Sequence, residues 1–466
     1  MRDRIAGRVV RIAFPSDIAG PIMPLLRSEP AELEAIFGAP VDYVDEAPTE
    51  GPRWLVDLQP DAPHNRLHWD DATCALASVV RDGEGFMATL QMIHSLVTLQ
   101  TDEMTDIEET DLSKAAKRLR QEIARGFPGL EIRSLKLADI EPMAGETLRM
   151  QDLECMVASL QDAHTAVRRV GPVYNPPYAV SLSATGATFL RIPQDSQAYA
   201  AGVRAGWSLE IDDPQGWRDR TGAPPHVHNL VAGRRAIALN GVVQRAFIAH
   251  SPLGEELSWV EDARPFNATE IMQTRMVGDI VYVRLQNWIT GLGVEERFAE
   301  IIAGYRSGQK LVLDLRGNTG GNLLMAKDLR RRFLRERTLL GTIQFTRGDG
   351  TLAEAVEIWD EPPTNAWPGE LIALTDGLTY SASEDFLHGL QGLPHVTVVG
   401  QPSGGGSGRP RTLPLIPGWI VTMSTALTFD RNGHCVEGKG VPVDIETNPF
   451  VDDWRDMLGA RGAGLL

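Results

Sequence analysis

The sequence predicts a layered α/β core in the carboxyl-terminal half of the chain, preceded by a helical segment and a β-rich insert. Three observations carry that reading. From Gly278 onward, apolar strands and helical patterns alternate: DIVYVRL, a helix over Val294–Arg306, KLVLDL, a helix over Leu323–Leu334, LIALT, then SASEDFLHGLQ. Such alternation builds a sheet with helices packed on its faces. DLRGNTGG at Asp314–Gly321 follows the strand Leu311–Leu315 with glycines, which permit a tight turn and close backbone approach. TYSASE at Thr379–Glu384 lies where the strand Leu371–Thr375 turns at Asp376–Gly377 into a helix.

The earlier elements read less uniformly. At 466 residues the chain exceeds one ordinary core and is expected to form several domains. Residues 1–80 form a first domain with strand-like stretches at Arg8–Phe14 and Trp54–Leu58, to which no function is assigned. Residues 81–175 form a helical segment. FMATLQMIHSLVTL has apolar positions at helical spacing and reads as core, with a subunit interface as the alternative, and DLSKAAKRLRQEIARGF opens at Asp111 and closes at Gly126. MQDLECMVASLQDAH presents Leu153, Met156, Val157 and Leu160 on one face, with His164 at or just past its end. The proline-marked GPVYNPP introduces a β domain over 176–270, and 271–466 is the α/β core.

Composition restricts function. The net charge of −17, from 45 basic and 62 acidic residues, argues against nucleic acid as a partner, because phosphate binding needs a basic face. No apolar run is long enough to span a bilayer, and MRDRIAGRVVRIAF lacks the form of a secretory signal. A cytoplasmic protein is expected. Cys74, Cys155 and Cys435 show no metal or disulfide spacing and are expected to be buried, inert thiols. No metal or other cofactor is expected, since no Gly-Lys-Ser/Thr follows the glycines and His226-x-His228 has no third ligand nearby.

A serine at a helix start lies beside unpaired N–H groups and the positive end of the helix dipole. Ser381 is therefore a candidate nucleophile, and the Gly-rich turn a candidate cradle for an oxyanion. Taken alone, Ser381-x-x-Glu384 also reads as a capping box, and a Gly-rich loop as an ordinary connection. His164 alone reads as a histidine near a helix end, and Glu437 alone as a surface carboxylate.

Together, DLRGNTGG, SASE, VTVVGQPSGGGSG and EGKGVPVDI, in that order, resemble the carboxyl-terminal-processing (tail-specific) serine peptidases and their tricorn-core relatives, over about Asp152 to Ile445. The resemblance implies a crotonase/ClpP-like layered α/β protease core with an inserted PDZ-like domain. SQAYAAGVRAGWSLEID (Ser196–Asp212) is similar to the PDZ wording SPAxxAGLxxGDxI, with Trp207 in place of the common Asp. In the processing branch a lysine serves as base, and Gly406 stands at its place here. The tricorn-like branch uses a histidine in L-x-D-x-H-[ST], which LQDAHT at Leu160–Thr165 matches, with Ala163 where that branch has a serine.

That branch implies His164 as general base for Ser381 and Glu437, in EGKGVPVD, as its orienting carboxylate. The link is direct, through water, or through Thr165. His434 is the fallback base. Gly320, Gly321 and Ala382 are the implied oxyanion-hole residues. The resemblance further implies a peptide or protein substrate, capture of peptide C-termini by the PDZ-like segment, and a possible homo-oligomer. A binding protein on the same fold, or an esterase or amidase, are the alternatives.

Overall fold

In a computed structural model of the chain, the described residues are 7–13, 37–59, 66–80, 103–105, 111–136 and 148–462, less 45, 47, 172, 264–270 and 417, with a few isolated positions besides. The apolar stripe Phe86–Leu99 lies outside them. The chain divides into two compact units, one of residues 1–153, 343–356 and 409–427, the other of 154–342, 357–408 and 428–466.

The first unit contains a six-stranded sheet, in the order Val41–Val44, Val10–Ala13, Arg53–Leu58, Ala75–Val80, Arg66–Asp70, Glu103–Thr105. Its first four strands pair in parallel and the rest antiparallel. In Arg66–Asp70, Leu67 and Trp69 are buried while Arg66 is exposed, the period-two pattern of a strand with one covered face. The helix Leu112–Gly126 begins as expected, because Asp111 accepts the N–H groups of Ser113 and Lys114 at 2.8 and 3.3 Å. Its Arg118 donates to the Pro414 and Leu415 carbonyls.

The second unit holds the expected α/β core. Its main sheet runs Met272–Val277, Ile280–Leu285, Lys310–Asp314, Glu370–Thr375, Val396–Gly400, Ile445–Glu446. All pairings are parallel except the first. The central strands read as near-continuous apolar runs because both faces are covered. Val283, Leu311, Leu313 and Ala373 pack with Phe298, Leu329 and Phe386 from the helices on one side. Val312, Ile372 and Leu374 pack with Trp454 and Leu458 on the other. The core helices span Val294–Ala303, Leu323–Arg331 and Ala382–His388.

A second sheet in this unit has the order Glu256–Asp262, Gln244–His250, Ser208–Leu209, Ala187–Arg191, Ala179–Leu182. A short helix, Gln197–Ala200, is capped by Ser196, and the stretch between Asp212 and Asn240 adds helices Pro214–Asp219 and His228–Ile237. At Gly233 a Cβ would lie 2.2 Å from the Val180 carbonyl oxygen, so glycine lets the last helix lie against the edge strand. The three cysteines are free but half-buried. This corrects the expectation of buried thiols. No described helix is long and apolar enough to cross a membrane.

Candidate active site

Three loops leave the carboxyl ends of adjacent parallel strands, Asp314 pairing beside Leu374 and Thr375 beside Gly400. That edge is where ligands bind in open parallel sheets. The loops are Leu315–Asn322, Asp376–Ser381 and Gln401–Gly408.

The first loop is anchored by its own motif. Arg316 makes a paired contact to Asp314, at 2.9 and 2.7 Å, and donates to the Pro449 and Val451 carbonyls. Burial alone would raise the Asp314 pKa, but the Arg316 guanidinium holds it well below the usual carboxylate range. The Asp and Arg of DLRGNTGG thus hold the turn. Asn318 and Asp376 then tie the first two loops together. The Tyr380 N–H and Ser383 hydroxyl donate to the Asn318 carbonyl, and the Gly317 N–H to Asp376 Oδ1.

Ser381 directly precedes the helix Ala382–His388, with φ 57° and ψ −121°. A non-glycine residue at positive φ is strained, and such strain clusters at functional sites. Gly320, at φ 100°, lies against it: a Cβ there would be 2.6 Å from Ser381 Cβ and 3.0 Å from the Ala382 nitrogen. The Gly320 N–H donates to Asn318 Oδ1 at 3.0 Å. The N–H groups of Gly321 and Ala382 have no acceptor among the described residues.

Glu384 joins helix and third loop. Its carboxylate accepts the Ser381 N–H at 3.0 Å, the Ser403 hydroxyl at 2.6 Å, and the Gly405 and Gly406 N–H groups at 2.7 and 2.8 Å. Burial pushes its pKa up to about 7, against the pull of these donors. The capping reading of Ser381-x-x-Glu384 thus covers only part of what the glutamate does. Its reach to the third loop had one signal in the sequence, the GGG run at Gly404–Gly406, two of whose N–H groups it accepts.

His164 lies past the helix Met150–Ala158, in a turn held by Asp162, which accepts the His164 N–H at 3.2 Å and the Thr165 hydroxyl at 2.7 Å. Its ring, 9% exposed, is 4.6 Å centroid to centroid from that of Tyr380, the residue before Ser381. Glu437 is buried and accepts from the Ser407 and Thr428 N–H groups at 3.1 and 2.8 Å and from Cys435 Sγ. His164 is not among its partners. Burial, with Glu384 adding repulsion, pushes Glu437 up to about 8. At Gly406, the position of the resembled lysine, a Cβ would meet Tyr380 Oη at 2.0 Å. Tyr380 thus fills the space a side chain at 406 would need, a role the sequence did not signal.

The other histidines are engaged elsewhere. His226 Nε2 bonds the Ser403 carbonyl, and His228 Nε2 the Arg218 and Thr221 carbonyls. His434 is exposed and pairs with Asp430 at 3.2 Å. Among the described residues no His, Cys, Asp and Glu cluster could hold a metal ion.

Residues 279–447 match Peptidase family S41. The matched stretch is 169 of the chain's 466 residues. The chain is also 27% identical over 197 residues to a carboxy-terminal-processing protease of Bartonella bacilliformis, covering 40% of this chain and 43% of that relative. The chain thus spans less than half of that protein's length. Among solved structures, mature CPAF complexed with lactacystin superposes with a TM-score of 0.55 at 14% identity, covering 76% of this chain and 96% of that one. The photosystem II D1 C-terminal processing protease gives 0.50 at 16% identity, covering 76% and 98%. At these identities the likeness concerns the fold. The Gly-rich loop, Ser381, Gly406 and Glu437 all fall inside the matched S41 stretch, and His164 precedes it.

Proposed function

We propose that the protein is a serine endopeptidase in which Ser381 is the nucleophile and His164 its general base. The observation that carries the reading is the strained Ser381 backbone at a helix start, packed on Gly320, with the His164 ring against the adjoining Tyr380. A peptide carbonyl would present its oxygen to the N–H groups of Ala382 and Gly321. Gly320 serves this hole by allowing close approach, since its own N–H is engaged by Asn318. His164 takes the Ser381 proton as the hydroxyl attacks, then returns it to the leaving amine, and water repeats the cycle on the acyl-enzyme. Glu437 is proposed as the carboxylate that supports the base, and it holds the third loop through the Ser407 N–H.

The insert over 176–270 is proposed to be PDZ-like and to take an extended peptide, as PDZ grooves do, by strand addition and carboxylate capture. Its five-stranded antiparallel sheet with a short helix after Ala187–Arg191 supports the PDZ likeness, and substrate C-termini are the expected ligands. Ser381→Ala and His164→Ala should each reduce cleavage of an unstructured protein substrate by several orders of magnitude, on the order of 10⁶ in one serine-protease precedent. Full cleavage by either purified, folded variant would overturn the assignment.

A further inference from the structure

Beyond peptide hydrolysis, we propose that a pocket lined by Arg191, Arg234, Arg284 and Arg316 binds a compact oxyanion, a phosphate or carboxylate group. The pocket has a volume of about 80 Å³ and lies between the second sheet, through Tyr178 and Arg191, and the Gly317 end of the Gly-rich loop. Its size suits a single such group. It adjoins a more open cleft of about 620 Å³ that shares Arg191, Arg284 and Arg316.

The argument rests on donors without acceptors. Arg191 is 5% exposed, and its Nε is shielded from solvent with no hydrogen-bond partner among the described residues. The Nε of Arg284 is in the same condition. A buried donor left unpaired is costly, and a charged one more so. Arg234 has one long bond, 3.4 Å to the Thr319 hydroxyl. Arg316, by contrast, makes four hydrogen bonds.

The neighbouring acids do not resolve this. Asp314 is taken by Arg316 and Tyr282. Asp376 Oδ1 is taken by the Gly317 and Leu378 N–H groups, and its Oδ2 is buried with no hydrogen bond among the described residues, so it offers these arginines charge but no bond. Asp195 lies on the exposed rim. Burial and the charges of Arg284 and Arg316 push Arg191 down to about 10, so it remains a cation at neutral pH. In a chain of net charge −17, this concentration of guanidinium groups is a local exception. An acceptor-only ligand with several oxygens satisfies them, and the planar fork of arginine suits both phosphate and carboxylate.

The test is calorimetric titration of the full chain with inorganic phosphate, at constant ionic strength set by chloride. Saturable binding is expected, weakened roughly tenfold or more in Arg191→Gln, as losing a charge-assisted bond implies. Arg234→Gln, at a half-buried position, provides the same readout should the first variant unfold. Ser381→Ala should bind phosphate as the wild type does, so the result is independent of the peptidase reading. In that variant, displacement of phosphate by a peptide with a free terminal carboxylate but not by its amide identifies chain ends as the source. Displacement by neither identifies a free anion. Absence of saturable binding to the folded wild type, or unchanged affinity in both arginine variants, would overturn the proposal.

Discussion

Gly320 and Ser381 define the site at the scale of single residues. The glycine lies so close that a methyl group would meet Ser381 Cβ at 2.6 Å, and its φ of 100° is one that side chains rarely adopt. Gly320→Ala should therefore lower stability by about 1–3 kcal/mol. It should also lower turnover by ~10²-fold or more by displacing the oxyanion donors. Urea denaturation and steady-state cleavage check the two effects separately, and an alanine variant with wild-type turnover would contradict the packing argument. Tyr380 is equally local in effect. Its ring fills the space beside Gly404 and Gly406 and contacts His164, so a lysine at 406 has no room. The sequence could place a glycine there but not the side chain that demands it, because the demand comes from a residue 26 positions away.

At the scale of elements, two buried glutamates join the helix Ala382–His388, the loop Gln401–Gly408 and the strand Ala426–Asp430. Burial raises Glu384 to about 7 and Glu437 to about 8, from an ordinary value of 4.5. Between pH 4.5 and about 8 the unfolded chain has released these protons while the folded one retains them. The unfolded state binds fewer protons there, so their contribution makes stability fall as pH rises through that window. Glu437→Gln should flatten the fall, whatever it does to stability at any one pH. Urea midpoints across the range measure this, and an unchanged slope would refute it. The core strands and helices were legible because apolar runs and helical periods alternate cleanly from Gly278. The helices Pro214–Asp219 and His228–Ile237 were not, being short and set among prolines and glycines. The Asp111 cap was legible because one side chain makes it, whereas Glu384 looked like a cap and proved to join the helix to the third loop.

For the whole molecule, the central claim is that His164 and Ser381, more than two hundred positions apart in sequence, act as one unit. Both belong to the same compact unit, and the His164 ring abuts the residue beside the serine. Neither periodicity nor spacing could supply that proximity. It came from the motif LQDAHT, while the hydrogen bonds of Glu437 to Ser407, Thr428 and Cys435 could be seen only in three dimensions. The most direct test is the rate at which a serine-reactive phosphonate labels the full-length protein, with the modified residue mapped by mass spectrometry. Selective labelling of Ser381 that slows by orders of magnitude in His164→Ala is the predicted result. Labelling of Ser381 at an undiminished rate without the imidazole, or no labelling of the wild type at all, would contradict it.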